Sequence, residues 1–211
     1  MENIIYIGVG ILGLYFLYRS YRKYVTNERE ELIDNFRFPA TIEKKIIEKY
    51  PHLNEKQAQL VIDGLREYFH LCNIAGRKMV SMPSQVVDVA WHEFILFTLK
   101  YKNFCQDAFG RFLHHTPAEA MRSPTQAQDG IKRAWKISCF RENMSPDSAP
   151  VLPVLFAIDA DLNIPDGFKY SLDCNKPGSH KYCAGDIGCG SGCGSGCSSS
   201  DSSGCGGCGG D

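Results

Sequence analysis

The chain ends in 23 residues that cannot build a core. Residues 189–211 are Gly, Cys and Ser throughout, apart from Asp201 and Asp211. No apolar side chain is present to offset the entropy of ordering them. Any packed domain must therefore lie upstream. What the tail presents is thiols on a flexible backbone. Cys189, Cys193, Cys197, Cys205 and Cys208 are five of the ten cysteines, and Cys174 and Cys183 lie just before them. The C-x-x-x-C steps and the final C-x-x-C bring sulfurs within reach of one soft metal ion, and Cys174, His180 and Cys183 can complete such a site. A Gly/Ser linker is the plain alternative, but a linker has no need of cysteines at this spacing. The composition predicts that residues 174–211 are disordered and bind a thiophilic ion when reduced: zinc first, an iron–sulfur cluster second.

The other end reads NIIYIGVGILGLYFLY over residues 3–18, without a charge, followed by Arg19, Arg22 and Lys23. As a helix, sixteen residues rise about 24 Å, short of the roughly 30 Å hydrocarbon core. Snorkelling of the three cations and interfacial placement of Tyr6, Tyr15, Tyr18, Tyr21 and Tyr24 would lengthen the span. A cleaved signal peptide wants cations before the apolar run and small residues after it. Here Glu2 precedes and Tyr-Arg-Ser-Tyr-Arg-Lys follows. The charge order predicts an uncleaved single-pass membrane anchor over residues 1–25, N-terminus outside, with the rest in the cytosol. Gly8, Gly10 and Gly13 spell G-x-G-x-x-G, but inside an apolar helix with no preceding strand this is no dinucleotide fingerprint. The glycines instead offer a smooth face for contact with other membrane proteins or a second copy.

Between these ends, residues 28–173 fit one domain, and the pattern predicts an all-α bundle. Helices are expected over 41–50, capped by Thr41 and stopped by Pro51, and from Asn54, whose partner Gln57 makes a capping box, to Gly76. Ser84 caps a third helix running to about residue 102. A fourth covers roughly 103–115 and a fifth roughly 125–140. Residues 154–158 are a short apolar run, and 167–171 read as one extended piece. A net charge of −1 gives no reason to expect nucleic acid.

The third helix, VVDVAWHEFILFTLKY, is apolar nearly all round and should be deeply buried. Asp88 and His92 nevertheless lie four residues apart on one of its faces, whereas Glu93 points about 100° away. A buried carboxylate needs a partner. Asp at i and His at i+4 can share one metal ion, or the Asp can orient and charge the imidazole. With His114 or His115 as a third ligand, the set matches catalytic zinc or iron sites that keep an open position. The plainer alternatives are a satisfied ion pair for Asp88 and His92, and a helix-terminal role for His114 and His115. Cys72, Cys105, Trp91 and Trp135 read as core residues.

The segments SQVVDVAWHEFILFTLKYKNFC and FGRFLHH, with the terminal CGGCGG, resemble glycine-rich domain-containing proteins, whose shared pattern is a V-D-x-x-W-H helix and C-G-G repeats. The matching residues are Val87, Asp88, Trp91 and His92, and the likeness covers residues 80–120 and the tail. Plant members of that group carry a second histidine two residues after the first; that position here is Phe94. The resemblance implies a fold type rather than an activity.

Taken together, the sequence predicts a membrane-anchored metal-handling or metal-dependent protein, with Asp88 and His92 as catalytic candidates. A non-enzymatic scaffold with a flexible tether is the alternative. A third reading makes the tail a substrate for cysteine and serine heterocyclisation.

Overall fold

The computed structural model describes residues 2–115, 124–172, 182, 183 and 187. Among them are seven helices and one small sheet: α1 (Glu2–Asn35), α2 (Ala40–Lys49), α3 (Glu55–Ala75), α4 (Gln85–Leu96), α5 (Thr98–Phe109), α6 (Pro124–Arg141), α7 (Val154–Asp161), β1 (Tyr170–Ser171) and β2 (Tyr182–Cys183). The strands are parallel, with Tyr170 opposite Tyr182 and Ser171 opposite Cys183. The fold is helical, as the periodicity predicts, and the extended piece is reduced to this two-residue ladder.

α3 is the axis of the bundle and packs against each of the other six helices. Its start is the predicted capping box: Asn54 Oδ1 accepts from Gln57 N, and Gln57 Oε1 accepts from Asn54 N, both at 3.0 Å. Its end is Gly76, whose φ of +63° is open to a residue without a side chain. The buried stripe Ala58, Val61, Ile62, Leu65, Phe69 and Cys72 follows the helical spacing of the sequence. At Gly64 an added Cβ would lie 2.9 Å from Val87 of α4 and 3.3 Å from Ile158 of α7, so the missing side chain permits this close crossing.

An aromatic cluster fills the space between α3, α4, α5 and the α1–α2 connection. Phe69 meets Phe104 at 4.9 Å, Phe36 meets Phe104 at 4.5 Å, and Phe38 meets Phe94 edge-on at 5.2 Å. Arg66 of α3 closes the carbonyl end of α1, donating to Ile33 O, to Asp34 O at 2.8 Å and to Phe36 O at 3.2 Å. Glu67 binds Arg141 of α6 through two parallel bonds of 2.6 and 2.9 Å.

Four expectations are corrected. First, no helix among the described residues is long and apolar enough to cross a membrane. This overturns the predicted transmembrane anchor and, with it, the membrane location with an outside N-terminus and cytosolic domain. The uncharged run is too short, and α1 continues without interruption into Glu28, Arg29, Glu30 and Glu31. Second, the predicted third helix is two helices. The chain turns at Phe97 (φ −79°, ψ 59°), which ends α4 and begins α5. Third, α5 stops at Phe109 because Gly110 takes the left-handed conformation (φ +66°), so His114 and His115 lie beyond a helix rather than on one. Fourth, at α2 the cap position is Pro39 rather than Thr41, with no side-chain cap bond.

Candidate functional site

The site is built outward from a buried carboxylate that the sequence did not bring forward. Asp159, near the end of α7, is 1 % exposed. It accepts from Ser84 Oγ at 2.7 Å, Gln85 N at 2.7 Å, Val86 N at 3.1 Å and Phe168 N at 2.8 Å. A carboxylate is favoured there because the first amides of α4 have no helical partner and the helix dipole is positive at that end. Ser84 is at the same time the predicted N-cap, accepting from Val87 N at 3.2 Å. The start of α4 is thus fixed from two directions. Asp88 follows within its first turn.

Asp88 is not deeply buried, contrary to the expectation for this helix. Val86, Val87, Val89, Ala90, Trp91 and Phe94 take the buried positions, while the Asp88 side chain is 20 % and His92 51 % exposed. The apolar character of α4 fills the core on one side and leaves the Asp88–His92 edge facing a cleft. Asp88 Oδ2 lies 3.2 Å from His92 Nδ1, and Asp88 Oδ1 lies 2.9 Å from His115 Nε2. His92 Nδ1 is also 2.9 Å from the Asp88 carbonyl oxygen. The two imidazoles pack at 4.1 Å between ring centroids. Of the two candidate histidines, His115 completes the group; His114 is exposed and rests on Phe112 at 4.8 Å. Glu93 is outside the group, as its angle on the helix predicts, and acts electrostatically on Lys45 of α2.

His115 is held by a relay from the core. Trp91 lies edge-on to its ring at 4.5 Å. Trp91 Nε1 donates to Tyr101 Oη at 3.1 Å, and Tyr101 donates to Leu113 O at 2.5 Å. Burial pushes the Tyr101 hydroxyl well above the usual phenol range, so it stays a donor. Two residues before His115, the loop is therefore tied to α4 and α5 together. Neither Asp159 nor Tyr101 carried a sequence signal beyond a lone polar group in an apolar run.

Asp88, His92 and His115 each offer one ligand atom, and these atoms lie within 4.8 Å of one another. Ligands about 2.1 Å from a tetrahedral ion stand about 3.4 Å apart. The Asp88 contacts, 2.9 Å from Oδ1 and 3.2 Å from Oδ2, lie a little under that separation, so a small rearrangement of the group would close it on an ion. Two imidazoles and a carboxylate suit zinc or iron(II) and leave further coordination positions free. The group opens on a cavity of about 1030 Å³ walled by α4, the 77–82 segment, the 111–115 loop, α6 and the β1–β2 pair.

Cys72 also reaches that cavity, but burial pushes its thiol up to about 12, so it offers no thiolate there. Cys105 is buried, as expected of a core residue. Cys183 is disulfide-bonded, and its sulfur is not a thiolate ligand in that state. The remaining tail candidates, Cys174, Cys189, Cys193, Cys197, Cys205 and Cys208, lie outside the described residues.

No curated protein and no solved structure matches the chain. A family described as UCP032817-like matches residues 28–187, a stretch that contains all three residues of the group, the Asp159 knot and the Tyr101 relay, and that stops before the Gly/Cys/Ser tail. That stretch is well over half of the sequence, and the chain belongs to the UCP032817-like family.

Proposed function

We propose that this is a metal-dependent protein whose ion is held by Asp88, His92 and His115 at the wall of the cleft. The observation that carries the reading is the placement of three ligand atoms within 4.8 Å of one another at the mouth of a cavity. Zinc is the first choice and iron(II) the alternative, since a two-histidine, one-carboxylate set serves both. When bound, such an ion supplies Lewis acidity and lowers the pKa of a coordinated water toward neutrality. The chain's own part is to hold the ligands. Asp88 brings the negative charge, the Trp91–Tyr101–Leu113 relay orients His115, and His92 forms the solvent-facing side. In this reading the V-D-x-x-W-H pattern supplies two ligands, Asp88 and His92, and two packing residues, Val87 and Trp91.

The test is metal content of the full chain after purification with supplemental zinc, and cobalt substitution. One equivalent per chain is expected at this group, with the d–d bands of nitrogen and oxygen ligation. Asp88→Asn and His115→Ala should each abolish those bands while the domain stays folded. Undiminished bands in both variants would move any metal away from the group and sink the proposal.

A further inference from the structure

The cleft beside the triad has a charge its surroundings do not share. Arg77, Lys78, Arg111 and Lys132 all line it, and Asp88 is its single lining carboxylate among the described residues. The chain as a whole carries a net charge of −1. Asp88 pairs with two imidazoles and with none of these four cations. Arg111 is fixed by its bond to Gly76 O at 2.7 Å, which draws it against the segment bearing Arg77 and Lys78. Arg77, Lys78 and Lys132 make no side-chain hydrogen bond or ion pair among the described residues. Lys132 comes from α6, one turn beyond Gln128, on a helix joined to the 77–82 segment where Ser81 Oγ donates to Ala127 O at 3.1 Å. Cations from two elements therefore line one space with no acidic partner among the described residues. Met82, Ile131 and Phe168 give the lining an apolar part, and Ser81, Gln85 and Gln128 a neutral polar part.

We propose that this cleft binds a phosphorylated small molecule, with Arg77, Lys78, Arg111 and Lys132 receiving its phosphoryl oxygens and the apolar wall receiving its uncharged part. The volume of about 1030 Å³ fits a small ligand. Multiple cations with little acidic balance suit a dianionic or polyanionic group better than a single carboxylate. The placement of the phosphoryl group beside the ion rests on the metal site proposed above; the lysine contacts do not.

The experiment uses the full chain, stripped of metal, and follows inorganic pyrophosphate binding by calorimetry. The double variant Lys78→Ala/Lys132→Ala removes two solvent-reaching cations that have no side-chain partner among the described residues, and it should leave the thermal midpoint unchanged. Pyrophosphate binding is expected to weaken about tenfold or more in that variant, from the loss of two charge-assisted contacts. Equal affinity in the wild type and the variant overturns the proposal. Succinate binding as tightly as pyrophosphate overturns the phosphoryl assignment. In cobalt-loaded protein, inorganic phosphate should shift the d–d bands. Bands that are present but unmoved would separate the anion from the ion and overturn the shared site. Absence of the bands altogether refutes the metal reading, while the lysine dependence in stripped protein still decides the anion site.

Discussion

Two aspartates serve the same helix in opposite ways. Asp159 is sealed, and both of its oxygens are saturated by four donors, three of which belong to the start of α4. Asp88 sits a few residues into that helix, at the cleft, and its partners are two imidazoles that can exchange a hydrogen bond for a metal bond. The first arrangement is rigid because nothing else can satisfy those buried amides. The second is exchangeable because each of its members could also serve as a metal ligand. A buried carboxylate that accepts only from amides and a hydroxyl builds structure. One at a cavity wall, facing titratable nitrogens, is available for chemistry.

The sharpest way to break this contrast is Asp159→Ala. It leaves the Ser84 hydroxyl and three amides without their acceptor, and stability should fall by about 3–4 kcal/mol in denaturant unfolding. A loss below about 1 kcal/mol would show that the knot is not structural. Next comes Tyr101→Phe, which strands Trp91 Nε1 and Leu113 O. About 2 kcal/mol of stability should go, and metal affinity should drop about tenfold as His115 loses its orientation. Unchanged metal affinity in that variant would detach the relay from the site. Gly130→Ala is a gentler probe. A Cβ there would clash with Ser81 Oγ and lie 3.0 Å from its backbone nitrogen, pressing on the cleft segment. The gain in helix propensity offsets part of the strain, so a net loss of about 1 kcal/mol is expected. The smallest effect on stability belongs to Asp88→Asn, at less than about 1 kcal/mol, because the pair is partly exposed. That same variant should lose the metal entirely. A large stability loss there would make Asp88 a second structural carboxylate.

The sequence made the local grammar readable. Asn54, Gln57 and Gly76 bound α3, and Ser84 starts α4, because caps act through neighbours a few residues away. The pairing of Asp88 with His92 was readable for the same reason. What could not be read depends on contacts distant in sequence. Asp159 reaches Ser84 across 75 positions, and within its own segment it is only one acid after an apolar run. His115 looked helical because FGRFLHH carries a plausible period; Gly110 in the left-handed conformation instead carried it off the helix and toward Asp88. The apolar character of α4 spoke for deep burial, yet one edge of a helix suffices to open onto a cleft. At the N-terminus, the charge order suggested an anchor, but the apolar part of α1 falls short of a span.

The edge-on contact of Trp91 with His115 gives the site an optical signature. The chain has two tryptophans, and the second, Trp135, sits apart, donating to Pro146 O at 2.9 Å and packed on Phe156. Any event that recharges or turns the His115 ring changes the emission of one indole and leaves the other as an internal reference. The occupancy of the site can therefore be followed by intrinsic fluorescence, with Trp91→Phe as the silent control.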